Sequence, residues 1–333
     1  IMPSLVGSEM CIRDRFYTYQ IAMQEGMPFP LRKGIVFEMQ TGNEASSYGE
    51  ITPLPKWSIE TLDDAIHQLN LIQDNSFSIP KEKLFPSVAF GMEMANNIYI
   101  DKAIIHKELF YSYLLIGNRE QIIAKLQNLP TGGCAKLKTS KLSLQDVFEI
   151  TSLLIQKNIA PCIDPNQLWS KEETIAFCTY FSPDQIRYLE EPVESLKELI
   201  ELTTMLPHRF AVDQTLRRTP IQQLLQYPFR DWILKPSLMG GMVPCMHYAS
   251  IARQNGIHAY LSSSWESGLG LYYIIDSYRK TDLFSAPLGL DTYYFLQDTL
   301  QNPIRFISGT IYLPEQITLN HDVLTQTSHG IPS

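Results

Sequence analysis

Charge is scarce in this 333-residue chain: Asp, Glu, Lys and Arg make up 19% of it, and the formal net charge is -8. A surplus of lysine and arginine is missing. That argues against nucleic acid or an anionic membrane surface as the main partner, although a cationic pocket for a small anion can sit inside an acidic protein. No apolar run approaches the ~20 residues that a membrane-spanning helix needs. Cysteine is rare too: Cys11, Cys134, Cys162, Cys178 and Cys245 show neither CxxC pairing nor metal-ligand spacing to the histidines. This pattern suits reduced thiols in a cytoplasmic protein. What is present is 44% hydrophobic residues, with aromatics spread along the length. A disordered chain is excluded, and one large α/β barrel or two modest domains are within reach.

The run from Ile1 to Arg15 lacks both the alternation that begins at Phe16 and the apolar centre of a signal peptide. It reads as a non-native leader over residues 1–15. From Phe16, FYTYQIAM and GIVFEMQ predict two strands joined by GMPFPLRK. The Pro-rich turn YGEITPLPKWS follows, with Ser58 as the cap of a helix whose first turn holds Glu60, Asp63 and Asp64. A second helix is expected from Pro86, which makes residues 16–101 an α+β capping domain.

After Lys102 a repeat sets in. Short β-rich runs end at 117, 138, 164, 190, 213 and 235, a seventh, HAYLSSS, covers 258–264, and a weaker eighth, LFSAPLG, covers 283–289. Helix-start signals lie between them: Ser143/Asp146, Ser170/Glu173, Ser182/Gln185, Ser195/Glu198 and Thr219/Gln222, with Pro183 and Pro220 at first helical positions. Strands alternating with helices imply parallel pairing, and eight in so short a stretch fit a closed barrel over residues 102–304. FISGTIYL at 306–313 returns to strand pattern and is expected to pack on the capping domain, completing it with residues 305–333.

Functional groups in such a barrel sit at the C-terminal strand ends. Here Lys138, Asp164, Glu190, Asp213 and Lys235 end five successive strands, spaced 26, 26, 23 and 22 residues apart. A single strand-end acid is ordinarily a solvated surface group, but five in phase point at one cavity. Three carboxylates without histidine or cysteine suit a hard cation, Mg²⁺ first and Mn²⁺ as a substitute. Lys136 and Lys138 lie two apart and so share one strand face. Each makes it harder for the other to stay protonated, which lowers a lysine toward general-base range.

The set CAKLK, CIDPN, YLEEP, AVDQ and WILKP resembles the enolase superfamily in its muconate-lactonizing subgroup. YGEITPLPKWS, FPSVAFGMEMA, SSSWESGLG and APLGLDT narrow the resemblance to the o-succinylbenzoate synthases from Phe16 onward. That resemblance implies a (β/α)7β TIM-like barrel under an α+β capping domain. It also implies a magnesium-dependent hydro-lyase of menaquinone biosynthesis, acting as a monomer on a small-molecule carboxylate substrate. Lys138 would remove the proton α to the carboxylate and return it to the leaving hydroxyl, while Asp164, Glu190 and Asp213 hold the metal. Lys235 would stabilise the enediolate, and Lys136 would tune Lys138. Asn166 and Glu191 would support the metal acids. Ser262, Ser263 and Gly289 would contact substrate, with backbone N–H groups there holding its second carboxylate. Relatives often carry arginine where this chain has Cys162, and smaller residues in place of Trp57 and Trp265. An N-succinylamino acid racemase of the same superfamily is the alternative, since Lys138 and Lys235 would serve it as two bases. Asp291 stands alone where dipeptide epimerases carry two acids.

Overall fold

The alternation from Phe16 onward does form a strand. A computed structural model describes residues 15–25, 27–39, 46–73, 80–96, 103–106, 108–315 and 317–326; the expected leader, Arg15 apart, lies outside them, as does Cys11. Strand β1 (Arg15–Ala22) pairs antiparallel with β2 (Leu31–Met39), which pairs with β3 (Ser47–Ile51). β2 begins three residues ahead of GIVFEMQ, because Leu31, Arg32 and Lys33 pair with Ala22, Ile21 and Gln20. The helices Leu62–Gln73 and Pro86–Ala95 complete the unit. The first helix starts later than expected. Thr61 and Asp64 form its reciprocal start, whereas the Ser58 hydroxyl accepts from Leu54 N at 2.8 Å and closes the proline turn. Glu60 accepts from Ser87 N at 2.9 Å at the start of the second helix.

The barrel strands are β4 (Tyr113–Leu115), β5 (Cys134–Lys138), β6 (Ala160–Asp164), β7 (Tyr188–Glu190), β8 (Phe210–Val212), β9 (Asp231–Leu234) and β10 (His258–Leu261). They run parallel in sequential order, and most of their residues are buried, as a sheet covered on both faces requires. The eighth position is reduced to two bridges, Tyr111 to Leu288 and Ser262 to Gly289, which close the α/β barrel. Ser143 and Ser170 form full capping boxes, and Ser195 accepts from Glu198 N. Ser182 and Gln185 pair at 2.9 Å but close only a turn, since β7 starts too soon afterwards for a helix. Pro220, not Thr219, stands at the N-cap position of the four-residue helix Ile221–Leu224, without a side-chain cap bond.

The C-terminal segment departs from expectation. Strands β11 (Arg305–Ile307) and β12 (Thr310–Tyr312) form a hairpin on the barrel entry, where Tyr111 N donates to Gly309 O at 2.9 Å and Ile311 N to Leu109 O at 2.8 Å. The Phe306 ring also packs edge-on against Tyr111. It is β13 (Thr325–Gln326) that reaches the capping sheet, beside Tyr17 and Thr18. Among the described residues no helix is long and apolar enough to cross a membrane.

Two buried carboxylates of the capping domain receive the free N–H groups of barrel helices. Glu93 accepts from Met242 N at 2.5 Å and from Val243 N, opening the helix Met242–Gln254. Glu50 accepts from Ser267 N at 3.0 Å, from Gly270 N at 2.8 Å and from the Tyr19 hydroxyl, at the helix Gly268–Arg279. A carboxylate there satisfies orphan donors and complements the helix dipole. Burial nevertheless pushes the Glu50 carboxyl up to about 7, against the donors that favour its charge. Its folded value lies above its unfolded one, so its contribution is full below the unfolded pKa and is lost as pH rises through about 7. The stability gap between wild type and Glu50→Gln is expected to move against wild type by about 3 kcal/mol across that window, as read by urea denaturation at about pH 5 and about pH 8. A gap that stays constant would mean that Glu50 is ionised throughout.

Candidate active site

A cavity of about 400 Å³ opens over the C-terminal strand ends, with Leu54 and Trp57 of the capping domain on one rim and Ser262–Trp265 of the barrel on another. Lys136, Lys138 and Lys235 line it, and Asp164, Glu190 and Asp213 are buried behind them. Strand geometry accounts for the convergence. Lys138, Asp164 and Glu190 are the last residues of β5, β6 and β7, while Asp213 and Lys235 directly follow β8 and β9. β5 and β9 are four strands apart in an eight-position barrel, so Lys138 and Lys235 face each other across it.

Lys136 Nζ lies 2.8 Å from Asp164 Oδ2 and 2.5 Å from Glu190 Oε2. Lys138 Nζ donates to the same Asp164 oxygen at 2.5 Å, and Lys235 Nζ to Asp213 Oδ2 at 2.5 Å. These contacts divide the two lysines of β5. Burial opposes the Lys136 charge, but Asp164 and Glu190 overcome that and hold it above the ordinary lysine range. Lys138 goes the other way: burial, aided by Lys136 and resisted by Asp164, brings it down. Among the acids, burial would raise Asp164, yet Lys136 and Lys138 keep it well below the usual range. Glu190 is pushed up to about 8, by burial first and by Asp164 next.

Whether these acids suit a divalent cation can be tested on their own contacts. Among the described residues no three acids converge on one point as the side chains stand, since each has taken a lysine as partner. Asp213 Oδ1, however, is buried with no hydrogen bond among the described residues, and Arg217 Nε stands 4.0 Å from it. Glu190 resists ionisation through its burial first and through the Asp164 carboxylate beside it next. An unbonded carboxylate oxygen and mutually repelling acids are what a hard divalent cation relieves. The donor set fits Mg²⁺.

The supporting residues fall around this ring. Glu191 accepts from the backbone N of Asp213 at 2.8 Å, of Gln214 at 3.1 Å and of Thr215 at 2.7 Å, and from Gln167 Nε2 at 2.7 Å. It thereby fixes the turn that carries Asp213. Asn166 N donates to Asp164 Oδ1 at 3.0 Å from a turn of positive φ. Cys162 lies below the acids, fully buried, with its sulfur 3.3 Å from that of Cys134. Trp57 and Trp265 both reach the cavity.

The expectation for the backbone of Ser262, Ser263 and Gly289 is corrected. Ser262 N donates to Leu234 O beside β9, while Ser263 N donates to Gly289 O and Gly289 N to Leu261 O to close the barrel. Ser264 N donates to Glu266 Oε2. These N–H groups are therefore taken, and the Ser262 and Ser263 hydroxyls also turn to Gly289 O at 3.2 Å; among the described residues Ser264 Oγ has no hydrogen bond. Sequence reasoning also gave the Asp291 side chain no role in the site. Its carboxylate accepts from Leu114 N at 2.8 Å and Lys125 Nζ at 3.0 Å, tying the segment after Gly289 to β4. A lone acid after the eighth run was the only signal for it.

Comparison with known proteins agrees with this architecture. Residues 12–99 match the MenC N-terminal domain, and residues 135–320 match the enolase C-terminal domain-like family. An o-succinylbenzoate synthase of Yersinia pestis is 28% identical over 305 residues, 86% of this chain and 92% of that protein. The structure of an o-succinylbenzoate synthase from Thermosynechococcus elongatus, complexed with Mg in the active site, superposes with a TM-score of 0.65 at 19% identity, covering 84% of this chain and 93% of its own. An N-succinyl Arg/Lys racemase from Bacillus cereus superposes with a TM-score of 0.76 at 14% identity, covering 95% of this chain and 99% of its own. At such identities these two structures speak for the fold alone. The chain belongs to the enolase superfamily, with an enolase C-terminal domain-like barrel behind a MenC N-terminal domain.

Proposed function

We propose that this protein is an o-succinylbenzoate synthase, which dehydrates 2-succinyl-6-hydroxy-2,4-cyclohexadiene-1-carboxylate to 2-succinylbenzoate in menaquinone biosynthesis. The observation that carries the reading is the pair of facing lysines, each bonded to a buried acid, across one cavity. Similarity to the Yersinia protein over most of both chains supports the same substrate.

Asp164, Glu190 and Asp213 would hold the magnesium ion, which when bound offsets negative charge developing on the substrate carboxylate. Lys138 is lowered toward a neutral base by burial and by Lys136, and takes the proton α to that carboxylate. Lys235 meets the developing charge from the opposite wall. Lys138 then delivers its proton to the hydroxyl leaving from the same face, so that one water departs and the ring becomes aromatic. Lys136 stays charged between Asp164 and Glu190. With Lys138 neutral, two lysines and a divalent cation against three acids leave one positive charge, which one substrate carboxylate neutralises.

The same facing lysines would also suit a two-base racemase. The test follows loss of the cyclohexadiene by absorbance, with N-succinylamino acids assayed in parallel for loss of optical rotation. Dehydration is the expected result. Racemization without dehydration would overturn it.

A further inference from the structure

Arg32 lies on β2 of the capping sheet and is 1% exposed. Among the described residues its guanidinium donates only to backbone carbonyls, and these belong to two separate turns. Nη1 donates to Pro53 O at 2.5 Å and Nη2 to Thr52 O, on the capping side. Nε donates to Trp265 O at 2.9 Å, and Nη2 reaches Ser264 O at 3.4 Å, on the barrel side. The first turn runs on into Leu54 and Trp57, the second follows Ser262 and Ser263, and all four line the cavity. Tyr19, Glu266 and Glu50 favour the buried charge against the cost of its burial; Glu266 in turn accepts from Ser237 Oγ and Ser264 N, and so braces the second turn.

We propose that Arg32 is a positioning residue that fastens the two rims of the substrate cavity to each other through their backbone carbonyls. The guanidinium suits the task because its donors leave one plane in fixed directions, which an ammonium cannot reproduce. Arg32 itself stays behind the rims and acts through Trp57, Trp265 and the serines. Its substrate consequence rests on the function proposed above, whereas the fastening does not.

The test uses Arg32→Lys, which keeps the charge and loses the fork. In this variant KM for the cyclohexadiene is expected to rise about tenfold or more while kcat changes by less than about threefold, because the catalytic lysines are untouched. A merely structural arginine would lower the melting temperature and leave KM alone, and that outcome would overturn the proposal. Hydrogen exchange on the ligand-free wild type provides an arm that survives misfolding of the variant. The amides of Leu54, Trp57, Ser263 and Ser264 are expected to lose protection together as urea is added, as one cooperative unit. Independent loss on the two rims would overturn the fastening whatever the substrate is. Failure of the wild type to dehydrate the cyclohexadiene would instead count against the proposed function.

Discussion

Lys138→Ala is expected to lower the dehydration rate by about a thousandfold or more, the scale of a lost general acid and base, with little change in KM. One group serves both proton transfers in the proposed syn elimination, so no other residue can take over half of the task. Lys235 lies across the barrel and Lys136 is held charged by two acids. The fold should tolerate the change, because Lys138 ends its strand at the cavity and Asp164 keeps Lys136 as a partner at 2.8 Å. Steady-state kinetics on the refolding-competent variant decides it. Turnover within tenfold of wild type would remove Lys138 from the role of base.

Stripping the protein with EDTA is expected to abolish turnover, and Mg²⁺ to restore it. A second readout does not depend on activity. If Mg²⁺ binds the folded chain alone, a concentration a hundredfold above Kd stabilises it by about 2.7 kcal/mol, seen as a higher melting temperature. Asp213→Asn should lose most of that rise, since it exchanges an ionised ligand for a neutral one beside Lys235. Unchanged melting with and without Mg²⁺ in the wild type, together with EDTA-resistant turnover, would sink the assignment of these three acids.

The ring of ionisable residues was legible in the sequence because a repeating strand–helix unit converts regular spacing into a common level. Lys138 and Glu190 end their strands, and Asp213 follows one, by the same arithmetic. Arg32 and Glu50 carried no such signal. Their partners are backbone atoms of segments far along the chain, Trp265 O for one and Gly270 N for the other, and nothing in local pattern announces a backbone partner. The serine wall misled for a related reason. SSS followed by a turn looks rich in free N–H groups, but the eighth run forms only bridges, and the barrel closes by taking up those donors. Ser58 and Thr219 failed as caps because a nearby turn or proline had the stronger claim on the local geometry.

The pairing of Thr325–Gln326 with Tyr17 and Thr18 also bears on synthesis. A chain made from its N-terminus exposes β1 early, with one flank covered by β2 and the other lacking Thr325 and Gln326 until they leave the ribosome. Throughout that interval the nascent protein carries an open sheet edge of the kind that recruits foreign strands. Thr325 and Gln326 therefore cover part of that edge, and a truncation that removes them while sparing every catalytic group is expected to yield a chain more prone to aggregate.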